Sequence, residues 1–562
     1  MHPNRPCTHP AWLRWTLALA LFSFLPACAE LPKEVERPVS KALSSPDGTP
    51  LGALVRTRQR AASTSGSGFL MLDGPQRAYG SRLALVDAAQ KTLDLQYYAI
   101  HADASSARLL RAVRDAAGRG VRVRILLDDF HSTGRNALVM LLAFEKNIEM
   151  RMFNPLAGPR GSFVGRMFNA LDDAGDLQQR MHNKLFIADN AMAVTGGRNL
   201  GDAYFGNGEE ANFVDLDVLS AGPIVQELSR SFDSYWNNER AYPVQSLVTR
   251  EELDKIRQRV RRTDAQAQAA ATQQAAGDNP KPPDGEPRRA PQAGGPTTTE
   301  QRRRAWDQKA MDLRTAPFVW APAVVLVDEP AKIPAADAVK RPVGAQPSGE
   351  EDNVVDGLLA LFGSARSDLT IVSPYFVPGK DMKAALAAAH ARGVRIRVLT
   401  NSLASNDAVA AHAGYARHRK ELLAMGVELY EMRSARAEPD AGLGSSGASV
   451  GGSSRSMLHS KVLTLDGRLI VIGSMNLDLR SQLQNTEIAL LIRSEQLARL
   501  ANERIEAGFR NEAWRVEMDG DALVWRAPPA SELKDTRSEP DTSVGQRLLI
   551  RLFGPLAPDR LL

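Results

Sequence analysis

An α/β fold made of two duplicated units, packed together with pseudo-two-fold symmetry, is what this sequence predicts. Three observations carry that expectation. The chain has 562 residues, beyond the size at which a single core keeps growing, so two or more domains are expected. Arg119–Asp129 (RGVRVRILLDD) and Arg392–Ser402 (RGVRIRVLTNS) match almost residue for residue. Each of these segments closes the same strand-helix-strand pattern, so the chain reads as an internal duplication of a unit of about 180 residues.

Residues 1–28 read as an export leader. Arg5 and Arg14 precede an apolar stretch from Trp15 to Leu25 that is too short to span a bilayer comfortably. Leu25-Pro26-Ala27-Cys28 resembles the lipobox of bacterial lipoproteins, in which the cysteine becomes the lipid-bearing first residue, so Cys28 is the expected lipid anchor. The only other cysteine is Cys7, which cleavage removes, and no disulfide is expected. The expectation is a membrane-anchored lipoprotein facing the periplasm, with inner and outer membrane both open. Composition, 43% hydrophobic and 24% charged, is ordinary for a globular protein. Net charge is +5 and falls to +3 without the leader, whose only charged residues are Arg5 and Arg14. That weak bias suits an anionic membrane surface or a phosphate-bearing substrate; it falls short of a nucleic-acid-binding signature, and no nucleic acid is expected as a partner.

Residues 29–65, rich in Pro, Ser and Gly, read as a tether. The first domain covers 66–245. Within it residues 68–72 predict a strand, 81–89 a helix, 93–98 a strand, 106–119 a helix and 121–127 a strand. Gly120 sits where a helix C-cap belongs, with Arg119 complementing the dipole. Residues 246–315 are a linker or insertion, partly disordered, because the Ala-, Gln- and Pro-rich stretch 262–300 cannot bury a core. The second domain covers 316–520: a strand over 368–373, a helix over 381–392 ended by Gly393, and a strand over 394–399. Inside it, 441–456 is Gly/Ser-rich, either a flap over a site or a plain loop insertion. In the tail, 521–562, Val544, Leu548 and Leu552 recur at helical spacing with Arg547 and Arg551 flanking. They predict a short basic amphipathic helix laid on a membrane surface or against the catalytic domain.

The chemistry is carried by two motifs. His182-Asn183-Lys184 with Asp189, and His459-Ser460-Lys461 with Asp466, both fit H-x-K-x4-D. Gly196 and Gly473 follow the aspartates by seven residues, Asn199 and Asn476 by ten. One match would be weak; two with the same downstream spacing, in corresponding places of two repeats, are specific. Side chains at i and i+2 share a strand face, so each His projects with its Lys. The aspartates fall in the turn beyond the strand, or else pair with their lysines. Pseudo-two-fold packing then brings two imidazoles, two ammonium groups and two amides into one pocket.

Such a pocket suits a phosphodiester. Lysines and asparagines hydrogen-bond the non-bridging oxygens and stabilise a trigonal-bipyramidal transition state. One His attacks phosphorus in line while the other protonates the leaving alkoxide and later activates an acceptor. His182, Lys184, Asp189, His459, Lys461 and Asp466 are the catalytic candidates. Asn199 and Asn476 either contact substrate or satisfy loop backbones. A nucleophilic His must be neutral and held in one tautomer, so each needs a carboxylate on its other nitrogen. Glu487, 28 residues past His459, is one candidate; the matching stretch of the first repeat offers Asp215, with Asp217 as runner-up. The motif contains no metal-ligand cluster, and no cofactor is expected.

Paired HxKx4D…GxxN repeats resemble the phospholipase D superfamily. RMHNKLFIADNAMAVTGGRNLGDAYF and the later LHSK…GSMNLDLRSQLQNTEI are most similar to bacterial cardiolipin synthases of the C type. Residues 405–431 and 539–543 also look like that subgroup. The resemblance implies two phospholipase D-type α-β-α sandwich domains. It also implies a phosphohistidine intermediate through which a phosphatidyl group passes to phosphatidylglycerol, with His182 as nucleophile and His459 as acid/base. Phosphatidylglycerol, phosphatidylethanolamine and the membrane surface are the implied partners. One chain carries both half-sites, so a monomer is catalytically complete; an accessory protein is left open. The alternatives are a hydrolytic phospholipase D, a phosphodiesterase or nuclease on the same pocket, and an inactive membrane scaffold, against which the intact motifs argue. Tyr97, Tyr98, Tyr375 and Phe376 read as core aromatics, with lipid contact as the alternative. His412 and His418 read as solvated helix residues, with a reach into the pocket as the alternative for His412.

Overall fold

The computed structural model describes residues 30–169, 177–276, 297–333, 354–434 and 455–553. The first repeat supplies β1 (Ser67–Leu72), β2 (Thr92–Tyr97), β3 (Arg122–Asp128), β4 (Ile148–Phe153), β5 (Leu185–Ala188), β6 (Met192–Gly196), β7 (Ala211–Val214), β8 (Asp217–Ala221) and β9 (Ala241–Pro243). Two strands follow in the connection, β10 (Val319–Ala321) and β11 (Ala323–Val327). The second repeat supplies β12 (Asp368–Val372), β13 (Phe376–Val377), β14 (Arg395–Asn401), β15 (Val427–Met432), β16 (Arg455–Leu458), β17 (Val462–Leu465) and β18 (Leu469–Gly473). It continues with β19 (Leu477–Asp478), β20 (Ile488–Arg493), β21 (Ala513–Asp519) and β22 (Ala522–Arg526).

These strands build two nine-stranded sheets, ordered β10-β1-β8-β6-β5-β2-β3-β4-β9 and β11-β20-β18-β17-β12-β14-β15-β21-β22. The run β8-β6-β5-β2-β3-β4 answers β20-β18-β17-β12-β14-β15, so the duplication read in the sequence is a duplication of topology. The near-identical segments form β3 and β14, parallel neighbours of the central strands β2 and β12. Each follows a helix, Ala104–Gly118 or Lys380–Ala391, through a glycine with φ of +97° (Gly120) or +87° (Gly393), a conformation a side chain would resist.

Period-two alternation assigns the faces. In β5, Leu185 and Ile187 point to a core shared by the two units, while Phe186 and Ala188 point to the outer core under helices Pro75–Ala88 and Ala104–Gly118. In β18, Ile470 and Ile472 join the shared core and Val471 faces outward. Helices Pro223–Trp236 and Glu495–Asn511 complete the shared layer with Phe232, Trp236, Ile505 and Phe509. Only Pro322 separates β10 in one sheet from β11 in the other; it has no N–H to satisfy, and its carbonyl accepts from the amide of Arg493.

Three segments differ from expectation. Residues 30–65 of the expected tether do not hang free: helix Pro50–Ala61 buries Leu51 and Val55, and the carbonyls of Pro38 and Ser40 accept from Arg151 and Arg124. The helix expected over 81–89 begins at Pro75, where proline's fixed φ suits a first turn. The Ala/Gln-rich stretch is helical as far as Ala276, within helix Arg250–Ala276, because those residues are strong helix formers that need no buried face. A further helix, Thr299–Asp307, starts in a capping box between Thr298 and Gln301. Residues 277–296, the Gly/Ser-rich stretch up to residue 454, and Cys28 lie outside the described residues. No helix among the described residues is long and apolar enough to cross a membrane.

Candidate functional site

The site is assembled where the two repeats pair with each other. Strand β7 of the first repeat runs parallel to β16 of the second, with Val214 opposite Leu458. A parallel bridge joins Met181 to Thr486. In both places the next residue of one chain segment is a motif histidine, and that of the other is a carboxylate. The amide of His459 donates to the carbonyl of Val214 at 2.8 Å, and that of His182 to the carbonyl of Thr486 at 2.9 Å.

The histidine-carboxylate pairs therefore cross the interface. His182 Nδ1 meets Glu487 of the second repeat at 2.9 and 3.1 Å; His459 Nδ1 meets Asp215 of the first at 2.6 Å. The sequence points to the right carboxylates, while its repeat-by-repeat reading groups them with the wrong histidines. Asp217, the runner-up, is bound to Arg82 and Arg198. Glu487 is braced by the hydroxyls of Ser474 (2.5 Å) and Ser481 (2.9 Å), which donate to its two oxygens. The shorter Asp215 fits beside Gly197, where a Cβ would stand 2.3 Å from its Oδ1. A glycine matched to Asp and a serine matched to Glu are a sequence signal for the two pairs that spacing alone had not used.

Lys184 and Lys461 are buried and disposed alike: each Nζ donates to its own motif histidine's carbonyl at 2.6 Å. Burial, the largest influence, lowers Lys184 to about 7 and Lys461 to about 8, against the pull of Glu487 and Asp215 on both; the Lys461 ammonium further disfavours that of Lys184. Burial and the two lysines hold both imidazoles neutral, His459 at about 4 and His182 well below its usual range. Burial pushes Glu487 up to about 7, against the pull of Lys184 and the two serines. Asp215 is also desolvated, but His459 and Lys461 hold it below the usual carboxylate range. The two half-sites are thus alike in shape and unlike in charge.

Both motif aspartates lie elsewhere. Asp189 and Asp466 occupy the turns after β5 and β17 with φ of +50° and +52°. Asp189 accepts from the amides of Gln90, Lys91 and Thr92; Asp466 accepts from those of Arg366, Ser367 and Asp368. Each pins the entry of a central strand, about 16 Å along the chain from its lysine. Their place in the turns is the expected one; neither pairs with its lysine, which corrects that alternative and the listing of Asp189 and Asp466 among the catalytic candidates. Asn199 is likewise spent on structure: its carbonyl takes the amide of Ala99 and its NH2 donates to the Tyr204 hydroxyl, whose ring packs 5.4 Å from His459. Asn476 is buried, and its Oδ1 has no hydrogen-bond partner among the described residues.

Tyr98 and Phe376 part company. Phe376 is core, but the Tyr98 ring stands 5.0 Å from that of His182 and 5.6 Å from the Lys184 ammonium. His412 is buried rather than solvated, 3.1 Å from the Arg419 guanidinium, which is ion-paired to Glu431 and Glu539. That cluster ties the 405–431 and 539–543 segments together.

A family profile described as "Cardiolipin synthase, PLD-like domain" matches residues 83–236 and 358–508. Cardiolipin synthase C of Escherichia coli K12 is 35% identical over 502 residues, 88% of this chain and 96% of that protein. An uncharacterised protein of Helicobacter pylori 26695 is 30% identical over 92% of this chain and 93% of its own length. Among solved structures, phosphatidylserine synthase of Haemophilus influenzae Rd KW20 superposes with a TM-score of 0.51 at 13% identity, over 90% of this chain and 99% of that one, a likeness of fold.

Proposed function

The chain belongs to the cardiolipin synthase family of phospholipase D-like proteins, and from that premise we propose that it transfers a phosphatidyl group to phosphatidylglycerol, forming cardiolipin. The observation that carries the reading is the pair of cross-interface dyads, His182–Glu487 and His459–Asp215, sharing one pocket with two buried lysines. Neutral imidazoles are nucleophiles, and each carboxylate holds Nδ1–H so that Nε2 is the free nitrogen.

The difference between the dyads supports a division of labour. Asp215 is held ionised and only 2.6 Å from His459, so it supports the imidazolium formed when this otherwise neutral ring takes up a solvent proton as the anionic donor binds; His459 then suits the acid that passes that proton to the leaving alkoxide and, neutral again, the base that accepts the acceptor's proton. His182, beside a carboxyl that burial pushes up, stays neutral and attacks phosphorus. The bond to the leaving oxygen breaks as the N–P bond forms, and the acceptor hydroxyl later displaces His182 from the opposite side. Lys184 and Lys461 neutralise charge developing on the non-bridging oxygens. The leader and Cys28 support anchoring of the enzyme as a lipoprotein on the periplasmic side of a membrane.

The test is a lipid mass spectrum after incubating the protein with phosphatidylglycerol vesicles, with and without phosphatidylethanolamine. Cardiolipin is expected from the wild type and not from His182→Ala or His459→Ala. Phosphatidic acid as the sole product would replace the transferase reading with a hydrolase.

A further inference from the structure

Two exposed apolar patches can be traced outward by contacts from the two motif histidines. The first is reached through a file of rings. Tyr98 packs edge-on to His182, His131 to Tyr98 at 4.9 Å, Phe130 to His131 at 5.1 Å, and Phe163 to Phe130 at 6.0 Å. The file starts at a buried imidazole and ends at Phe163, 46% exposed, with Val164 beside it at 62%. On the other flank, His459 is enclosed by Tyr204 and Phe213, both buried. Beyond them, helix Val409–Ala424 follows Asp407, which takes the Tyr375 hydroxyl at 2.6 Å and whose charge reaches Lys461. Against that helix lies the C-terminal helix Val544–Phe553.

The C-terminal helix turns three of its apolar residues outward. Val544, Leu548 and Leu552 are 73%, 55% and 59% exposed, one helical turn apart. Its ten residues, VGQRLLIRLF, include two arginines and no acid. Exposed apolar surface of this kind is uncommon unless something covers it, and a basic, acid-free helix with an apolar stripe is complementary to an anionic lipid surface.

We propose that Phe163–Val164 and the outward stripe of helix Val544–Phe553 form a two-point docking face that seats the pocket on an anionic phospholipid bilayer. The ring file running inward from Phe163 is the apolar path along which a lipid reaches His182. The proposal rests on the phosphatidyltransferase reading for its occupant and is separate from any acyl anchor at Cys28. The catalytic groups are buried, so a bilayer substrate must leave the membrane plane to react. A face that holds the pocket mouth against the bilayer shortens that path.

The test uses the protein from residue 29 onward, so that neither the apolar leader nor an acyl anchor at Cys28 masks the face. Sedimentation with phosphatidylglycerol vesicles is compared for this protein, Val164→Asp and Leu548→Asp. Each exposed aspartate is expected to lower partitioning at least tenfold and raise KM on vesicles, leaving kcat/KM for dispersed short-chain phosphatidylglycerol within twofold. Partitioning within twofold of the parent in both variants would overturn the face. So would an equal loss of turnover on dispersed and vesicle substrate, which marks a structural effect. Parent binding that the aspartates abolish, without lipid turnover by any form, would sustain the face and remove the transferase reading.

Discussion

Asp215→Asn tests the crossed dyads most directly. Asparagine keeps the shape of Asp215, and its Oδ1 can still accept the Leu216 amide that Oδ1 now takes at 2.9 Å. What is lost is the buried charge facing His459 Nδ1 at 2.6 Å. A hydrogen bond to a charged group contributes about 1.5–3 kcal/mol, which corresponds to roughly a 10- to 150-fold loss in the step that needs His459 charged. A donor lipid with p-nitrophenol as leaving group needs no acid to depart. With it, Asp215→Asn should release a full burst of p-nitrophenol, one per enzyme, and then turn over slowly as the phosphohistidine waits for an activated acceptor. Glu487→Gln acts on His182 instead and should suppress the burst itself. A lost burst in Asp215→Asn with a preserved one in Glu487→Gln would refute the assignment of Asp215 to His459 and of the nucleophile to His182.

Three other outcomes follow from the structure. Lys184 and Lys461 lose their protons near 7 and 8 in the ligand-free pocket, so kcat/KM should fall above pH 7–8, far below the ordinary lysine range. The kcat limb should lie higher, because a bound phosphodiester anion restores the ammonium form; a kcat/KM flat to pH 9.5 would exclude the lowered lysines. The unfolded chain keeps these protons up to about pH 10, so it binds more protons than the fold across that window, and ligand-free stability should rise with pH between 7 and 10. Asp189→Ala strands the amides of Gln90, Lys91 and Thr92 and should lower stability in urea by about 3 kcal/mol, given about 1–3 kcal/mol per unsatisfied group. At low temperature its kcat should stay within about threefold of wild type; a hundredfold loss at unchanged stability would return Asp189 to the chemistry.

Sequence alone determined what local periodicity and repetition encode. The paired RGVR segments announced two equivalent units, and the i, i+2 spacing put each histidine on one face with its lysine. The identities of Asp215 and Glu487 were also within reach, since both follow their motifs in strand-like stretches. Tertiary structure decided which partner each group meets. Val214 opposite Leu458 and Met181 opposite Thr486 are registers between strands hundreds of residues apart, and they send each carboxylate to the other repeat's histidine. The same limit explains Asp189 and Asp466: a conserved-looking spacing cannot distinguish a side chain in the pocket from one that caps the far end of the same strand. The Pro- and Ser-rich stretch before the first domain looks like a free tether in sequence for a related reason: the carbonyls of Pro38 and Ser40 meet Arg151 and Arg124, whose positions only the folded sheet fixes. Spacing along a chain sets which side chains share a face; long-range pairing sets what that face touches.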